Sequence, residues 1–234
     1  MFADIAVNGG IVKEARFHVV DRDSWGRTVY FDYYFNVIKC RYNIGADLDI
    51  TNLQRFRRER GLKFFPVMLY AVMRAVNAHE EFRMAFNERR ELGFWDWLCP
   101  CYTLFHPETE TFTDIWSEYF EEFPRFYATV VDDMARYRHV TGKIKARDGQ
   151  PPNICPVSNV PWLTFTHFAQ DSYAESEFFS PLVKFGKYET RGENVILPVS
   201  VSVNHAVADG YHTCRLINEM QDAASFPEKY FNGA

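Results

Sequence analysis

His205 and Asp209 are separated by Ala-Val-Ala, and Gly210 follows at once. An imidazole, with an unperturbed pKa of about 6.5, can take a proton from a hydroxyl near neutral pH and so serve as a general base. The run Val195–Asn204 before it reads as an apolar strand, which places the histidine at the mouth of a sheet. After it, Leu216, Ile217 and Met220 recur at helical spacing and predict a closing helix from about Gly210 to Asp222. Asp209 would either cap that helix or pair with a buried arginine, and Gly210 would supply a sharp turn that a side chain would obstruct. His212 reads as an ordinary helix residue. Taken alone, the pattern fits catalysis or a histidine satisfied in the core, and the residues leave both open.

The surrounding elements must hold that histidine. Trp25–Tyr42 alternates aromatic and polar residues and predicts an extended segment. Asp49-Ile-Thr-Asn52 precedes Leu53, Phe56 and Arg57 as a helix start, with Gly61 as its stop. Pro66 suits the first turn of a second helix, whose Val67, Leu69, Tyr70, Met73 and Val76 predict burial nearly all round. Strands are expected at Gly93–Trp97, Tyr102–His106, Trp162–Phe168, Leu182–Tyr188 and Val195–Asn204, with a hairpin turn in Glu189–Asn194. A helix is expected from about Thr113, interrupted at Pro124, and a polar loop over Thr141–Pro152. The fold class is α+β, a mixed β-sheet with helices packed against it, in a single domain over 1–234 whose residues 1–20 are an N-terminal extension.

Bulk properties narrow the function. A net charge of −5 argues against nucleic acid as a partner. No apolar run is long enough for a membrane span, and the first 18 residues lack the pattern of a secretory signal. Five scattered cysteines read as reduced thiols in the cytoplasm, and Cys99-Pro-Cys101 as structural rather than as a metal or redox pair. No metal is expected. An aromatic content of 17% is high, and some of those rings would line a cleft or a subunit contact.

Beyond these features, the chain resembles the chloramphenicol acetyltransferase family, of the trimeric type. The resemblance is carried by Leu48-Asp-Ile-Thr51, Lys63-Phe-Phe-Pro66, Glu81-Phe-Arg-Met-Ala85, Trp95-Asp96 and Tyr102-Thr-Leu-Phe-His106. It continues through Glu108-Thr-Glu-Thr-Phe112, Ser158-Asn-Val-Pro-Trp162, Gly186-Lys-Tyr188 and Val203-Asn-His-Ala-Val-Ala-Asp-Gly-Tyr-His212. The resemblance implies a CoA-dependent acyltransferase fold. It also implies direct acetyl transfer from acetyl-CoA, a co-substrate rather than a bound cofactor, to a hydroxyl of chloramphenicol.

By the same resemblance His205 is the general base and Ser158 donates to the oxyanion of the tetrahedral intermediate. Asp209 and Arg27 form a buried ion pair, whose breakage would cost about 3–5 kcal/mol. Tyr33, Tyr34, Ile38, Cys40, Thr103, Phe112 and Phe168 match acceptor-pocket positions, while Lys63, Lys187 and Tyr188 match positions near the nucleotide end of CoA. A homotrimer is implied, with His205 from one chain and most of the acceptor pocket from its neighbour. Asn204, Ala208, Lys184, Gln170, Pro156 and Cys101 depart from the family pattern, and the last four bear on affinity and acceptor choice. Two other readings remain: a related acetyltransferase with a different hydroxyl acceptor, and a binder of drug or acyl thioester without turnover.

Overall fold

The computed structural model describes residues 14–170 and 177–231. In chain order it runs β1 (Phe17–Val19), α1 (Thr28–Asp32), a π-helical turn (Tyr33–Ile38), β2 (Arg41–Asp49), α2 (Thr51–Glu59) and α3 (Phe64–Asn77). There follow β3 (Met84–Phe86), β4 (Leu92–Trp95), β5 (Cys99–His106), β6 (Thr111–Trp116), α4 (Phe123–Tyr137) and β7 (Ile154–Val160). The chain closes with β8 (Leu182–Gly186), β9 (Glu189–Arg191), β10 (Asn194–Asn204), α5 (Gly210–Ser225) and α6 (Pro227–Phe231).

The principal sheet has seven strands in the order β2-β10-β8-β7-β5-β6, with β9 beside β10. Strands β5, β7 and β8 are mutually parallel and the other pairings antiparallel, so the sheet is mixed. A second sheet, β1-β4-β3, lies apart from it in the pairing. The expected extension is thus part of the fold from Phe17 onward, while its residues 1–13 lie outside the described residues.

Strand β10 shows how sequence sets the two faces. Its Val199-Ser-Val-Ser-Val-Asn204 alternates, and side chains on a strand point alternately to opposite faces. Val199, Val201 and Val203 join Val157, Val183 and Phe185 in the apolar core. Helix α3 packs against β5, β7, α4 and α5, and Val67, Met68, Leu69, Val72, Met73 and Val76 are all fully buried in it, as expected. Ser200 and Ser202 face the other way, yet they too are buried. The chain after β7 folds back over them: Ser200 Oγ donates to the Phe168 carbonyl at 2.6 Å and Lys187 N to the Leu163 carbonyl at 3.0 Å. A Cβ at Gly186 would lie 2.8 Å from the Phe165 ring, so a glycine is needed where this segment meets the sheet.

Three expectations fail, each for a local reason. Trp25–Tyr42 is not extended: it holds α1 and the π-helical turn before β2 begins. Phe31 and Phe35 stand four apart, stack at 5.1 Å and both pack on Phe179, a helical rather than a strand spacing. Thr113 begins no helix: Thr113 and Ile115 alternate inward on β6, paired with β5, and Pro124 sits in the first turn of α4, where its missing N–H costs nothing. Trp162–Phe168 pairs with no strand and is held by the side-chain and backbone bonds just given. Gly61 stops α2 in a left-handed conformation (φ 64°), and Gly192, at φ 63°, turns β9 into β10. No helix among the described residues is long and apolar enough to cross a membrane.

Candidate active site

His205 follows the last residue of β10. Pairing with β2 ends at Asn204 opposite Arg41, and His205 N donates to the Cys40 carbonyl at 3.1 Å, so the sheet fixes the backbone that carries the ring. The imidazole is half-buried, stacked on Tyr34 at 3.7 Å between centroids with planes 7° apart, and meets Tyr42 nearly edge-on at 5.0 Å. Nδ1 is buried without a hydrogen-bond partner among the described residues, whereas Nε2 is not among the buried, unpartnered atoms and makes no bond to any described residue. The open nitrogen is Nε2. Tyr42 is anchored in turn by its hydroxyl, 2.6 Å from Thr213 Oγ1, and burial pushes its pKa up to about 12, so it remains a neutral wall at physiological pH.

Arg27 clamps the loop beyond the histidine. Its Nη2 donates to the His205 carbonyl and its Nε to the Ala206 carbonyl, both at 3.0 Å, and Nη1 lies 3.2 Å from Asp209 Oδ2. The Arg27 side chain is 15% exposed but that of Asp209 is 38%, so the pair is less buried than expected. Loss of Asp209 would leave a guanidinium still held by two carbonyls, and the cost falls below that of a fully buried pair. Asp209 also caps α5: its carboxylate accepts from Tyr211 N at 3.1 Å and lies 2.8 Å from His212 Nδ1. Burial pushes the Asp209 carboxyl up, but bonds from His212 and Arg27 outweigh this and hold it below the ordinary range.

His212 is therefore more than an ordinary helix residue, its Nδ1 donating to the carboxylate that caps α5. Asn204 has a part as well, its Oδ1 accepting from Ala206 N at 3.0 Å inside the turn. Gly210 departs from expectation: its φ is not positive and a Cβ there would meet nothing within 4 Å, so the turn does not require a glycine in this chain.

Ser158 lies elsewhere. It sits on β7 opposite Lys184 of β8, which sits opposite Ser200 of β10, so the three share one row on the polar face. From Ser200 to His205 is five residues along the strand direction, about 16 Å, and from β7 to β10 is two strand spacings, about 10 Å. Shared chemistry needs about 3 Å. His205 and Ser158 of one chain lie too far apart to act on one carbonyl.

Comparison with known proteins settles the lineage. Residues 15–221 match the family model for chloramphenicol acetyltransferase. The chain belongs to the chloramphenicol acetyltransferase family. A chloramphenicol acetyltransferase from Clostridium perfringens is 40% identical over 210 residues, covering 90% of this chain and 95% of that protein. One from Clostridium butyricum is 40% identical over 213 residues, covering 91% and 97%. Among solved structures, a chloramphenicol acetyltransferase of 20% identity superposes with a TM-score of 0.77 over 88% of this chain and 99% of its own. The fold is that of this acyltransferase family.

The seven acceptor-pocket positions of the family fall into two sets. Tyr34 stacks on the base, Tyr33 packs against Tyr34 at 5.2 Å, Cys40 holds the backbone of His205, and Ile38 is exposed just before it. Thr103, one residue past the last β5–β7 pair, is level with Ser158, while Phe112 pairs with Phe105 on the same outer face. Phe168 lies over that face through its bond with Ser200. Four of these seven positions thus lie with His205 and three with Ser158. Each half ends in exposed apolar side chains: Tyr30, Tyr33, Val37 and Ile38 beside the base, and Phe105, Phe112, Trp162 and Leu163 beyond the serine.

Of the CoA positions, Lys63 precedes Phe64, whose ring meets Tyr188 at 5.1 Å, and Lys187 adjoins Tyr188, so the three are gathered at one place. Lys63 and Lys187 are exposed, free to meet a phosphate. Cys101 and Pro156, two departures from the family pattern, face each other across β5 and β7. Burial lifts the thiols of Cys99 and Cys101 to about 11, which keeps them protonated at neutral pH. The contacts of Tyr42, Asn204 and His212 around His205 and its loop go beyond what the sequence assigned to them. Only His212 carried a signal, at the third position after a capping aspartate.

Proposed function

We propose that this protein transfers acetyl from acetyl-CoA to a hydroxyl of chloramphenicol, and so confers resistance to it. The observation that carries this is the imidazole of His205, held against Tyr34 and Tyr42 by a backbone that Arg27 fixes, with Nε2 left open. His205 Nε2 takes the acceptor's hydroxyl proton while the oxygen bonds to the thioester carbonyl carbon. The carbonyl electron pair moves onto oxygen, and the Ser158 hydroxyl donates to that oxyanion. Collapse restores the carbonyl and breaks the C–S bond, and the CoA thiolate takes the proton back from the imidazolium.

The separation of His205 from Ser158 within a chain requires a second copy to complete the site. The two exposed apolar surfaces differ, so their mating is heterologous and closes as a ring. A homotrimer in the cytoplasm is our reading, with acetyl-CoA approaching along Lys63, Lys187 and Tyr188. A plain binder would have no use for an open base backed by a rigid clamp. The test is release of the CoA thiol by purified protein, with and without chloramphenicol. Release that rises with the drug is expected, and release indifferent to it would contradict the acceptor assignment.

A further inference from the structure

Lys184 stands in the same row as Ser158 and Ser200, on the polar face of the sheet. The residue is 3% exposed, and its Nζ is buried with no hydrogen-bond partner among the described residues. Lysines at surfaces bury their stems and keep the ammonium in water. Here the ammonium itself is enclosed, 5.1 Å from the centroid of the Phe168 ring. Its neighbours in the row are two hydroxyls, and neither satisfies it.

An enclosed donor without an acceptor costs stability, and for a cation the cost is larger. Burial draws the pKa of Lys184 down, the response of a desolvated cation with no counter-charge among the described residues. No described residue recovers that cost, so the donor is set for an acceptor atom that arrives from outside. What arrives beside Ser158 and Phe168, on the acetyl-transfer reading from which this follows, is the hydroxyl substrate.

We propose that Lys184 is a specificity-determining residue of the acceptor pocket, whose ammonium donates to an oxygen that the substrate carries near the hydroxyl being acetylated. Acceptors with a second oxygen there are favoured, and plain alcohols forgo the contact. The same lysine makes the site tolerant of a carboxylate at that place, which would meet the cation directly.

The test compares the wild type with K184M, in which a flexible apolar chain fills the same space. Two acceptors are used: chloramphenicol, which has further oxygens, and 3-phenyl-1-propanol, which has none. For K184M the KM of chloramphenicol should rise about tenfold or more, with the KM of acetyl-CoA unchanged and kcat/KM for the plain alcohol not reduced. Melting should hold or rise, because a buried unpaired cation has been removed. An unchanged chloramphenicol KM, or an equal loss with both alcohols, would overturn the proposal. So would a marked fall in melting temperature with unaltered drug affinity. Calorimetric binding of chloramphenicol separates the two readings. Wild type that binds no drug sinks the acceptor assignment and this contact with it, whereas equal binding by wild type and K184M sinks this contact alone.

Discussion

Alanine at His205 is expected to lower acetyl transfer by about 10²–10⁴-fold, the usual contribution of a positioned general base. The loss should fall on kcat, since the ring is needed when the proton leaves and contributes little to holding either substrate. The fold should survive. The backbone at 205 is fixed by its own N–H to the Cys40 carbonyl and by Arg27 to its carbonyl, and neither bond uses the imidazole. What disappears is the packing against Tyr34 and Tyr42, where an aromatic contact is worth about 0.5–1.5 kcal/mol beyond its area. That is small beside the about 5–15 kcal/mol that holds a typical domain together. Steady-state rates and a melting curve on H205A check both halves. Turnover near that of the wild type would remove the histidine from its role.

Ser158→Ala should cost about 10²–10³ in turnover, the usual result of removing one donor to an oxyanion. Stability should hardly change, because the Ser158 hydroxyl makes no hydrogen bond to any described residue and the side chain is only half-buried. A serine with no partner among the described residues is free to serve the intermediate. The KM values of both substrates should stay near those of the wild type. A variant with full kcat would show that the oxyanion is held elsewhere.

How much of this was legible in advance varied with the kind of signal. The strand β10 and helix α5 around His205 were readable because their alternation and helical spacing are strong and local. Helix α3 was readable from its apolar girth. The stretch from Trp25 to Tyr42 misled because aromatic residues fit two periods, and only the pairing of Phe31 with Phe35 and Phe179 decides for a helix. Segment 162–168 looked like a strand by composition. It lies over a sheet face rather than along an edge, a distinction carried by tertiary contacts and not by residue type.

The site itself was legible only through the family motifs. Ser158 and Arg27 have no local pattern that marks them, since a strand serine and a loop arginine are commonplace. Tyr42, which walls in the base from a neighbouring strand, was invisible for the same reason. Lys184 was noticeable as an unusual residue, but its enclosure without a partner is a property of the folded sheet and its covering segment. Nor could spacing along the chain reveal that His205 and Ser158 lie two strands apart.

That separation is the centre of the account, and mixing two inactive variants tests it. H205A keeps a sound Ser158 and S158A keeps a sound His205, so assemblies formed by co-expressing them in equal amounts should contain some intact sites. Random association into closed rings predicts recovery of about a quarter of wild-type turnover. Activity no higher than the mean of the two variants alone, in assemblies shown to contain both chains, would mean that base and serine work within one chain.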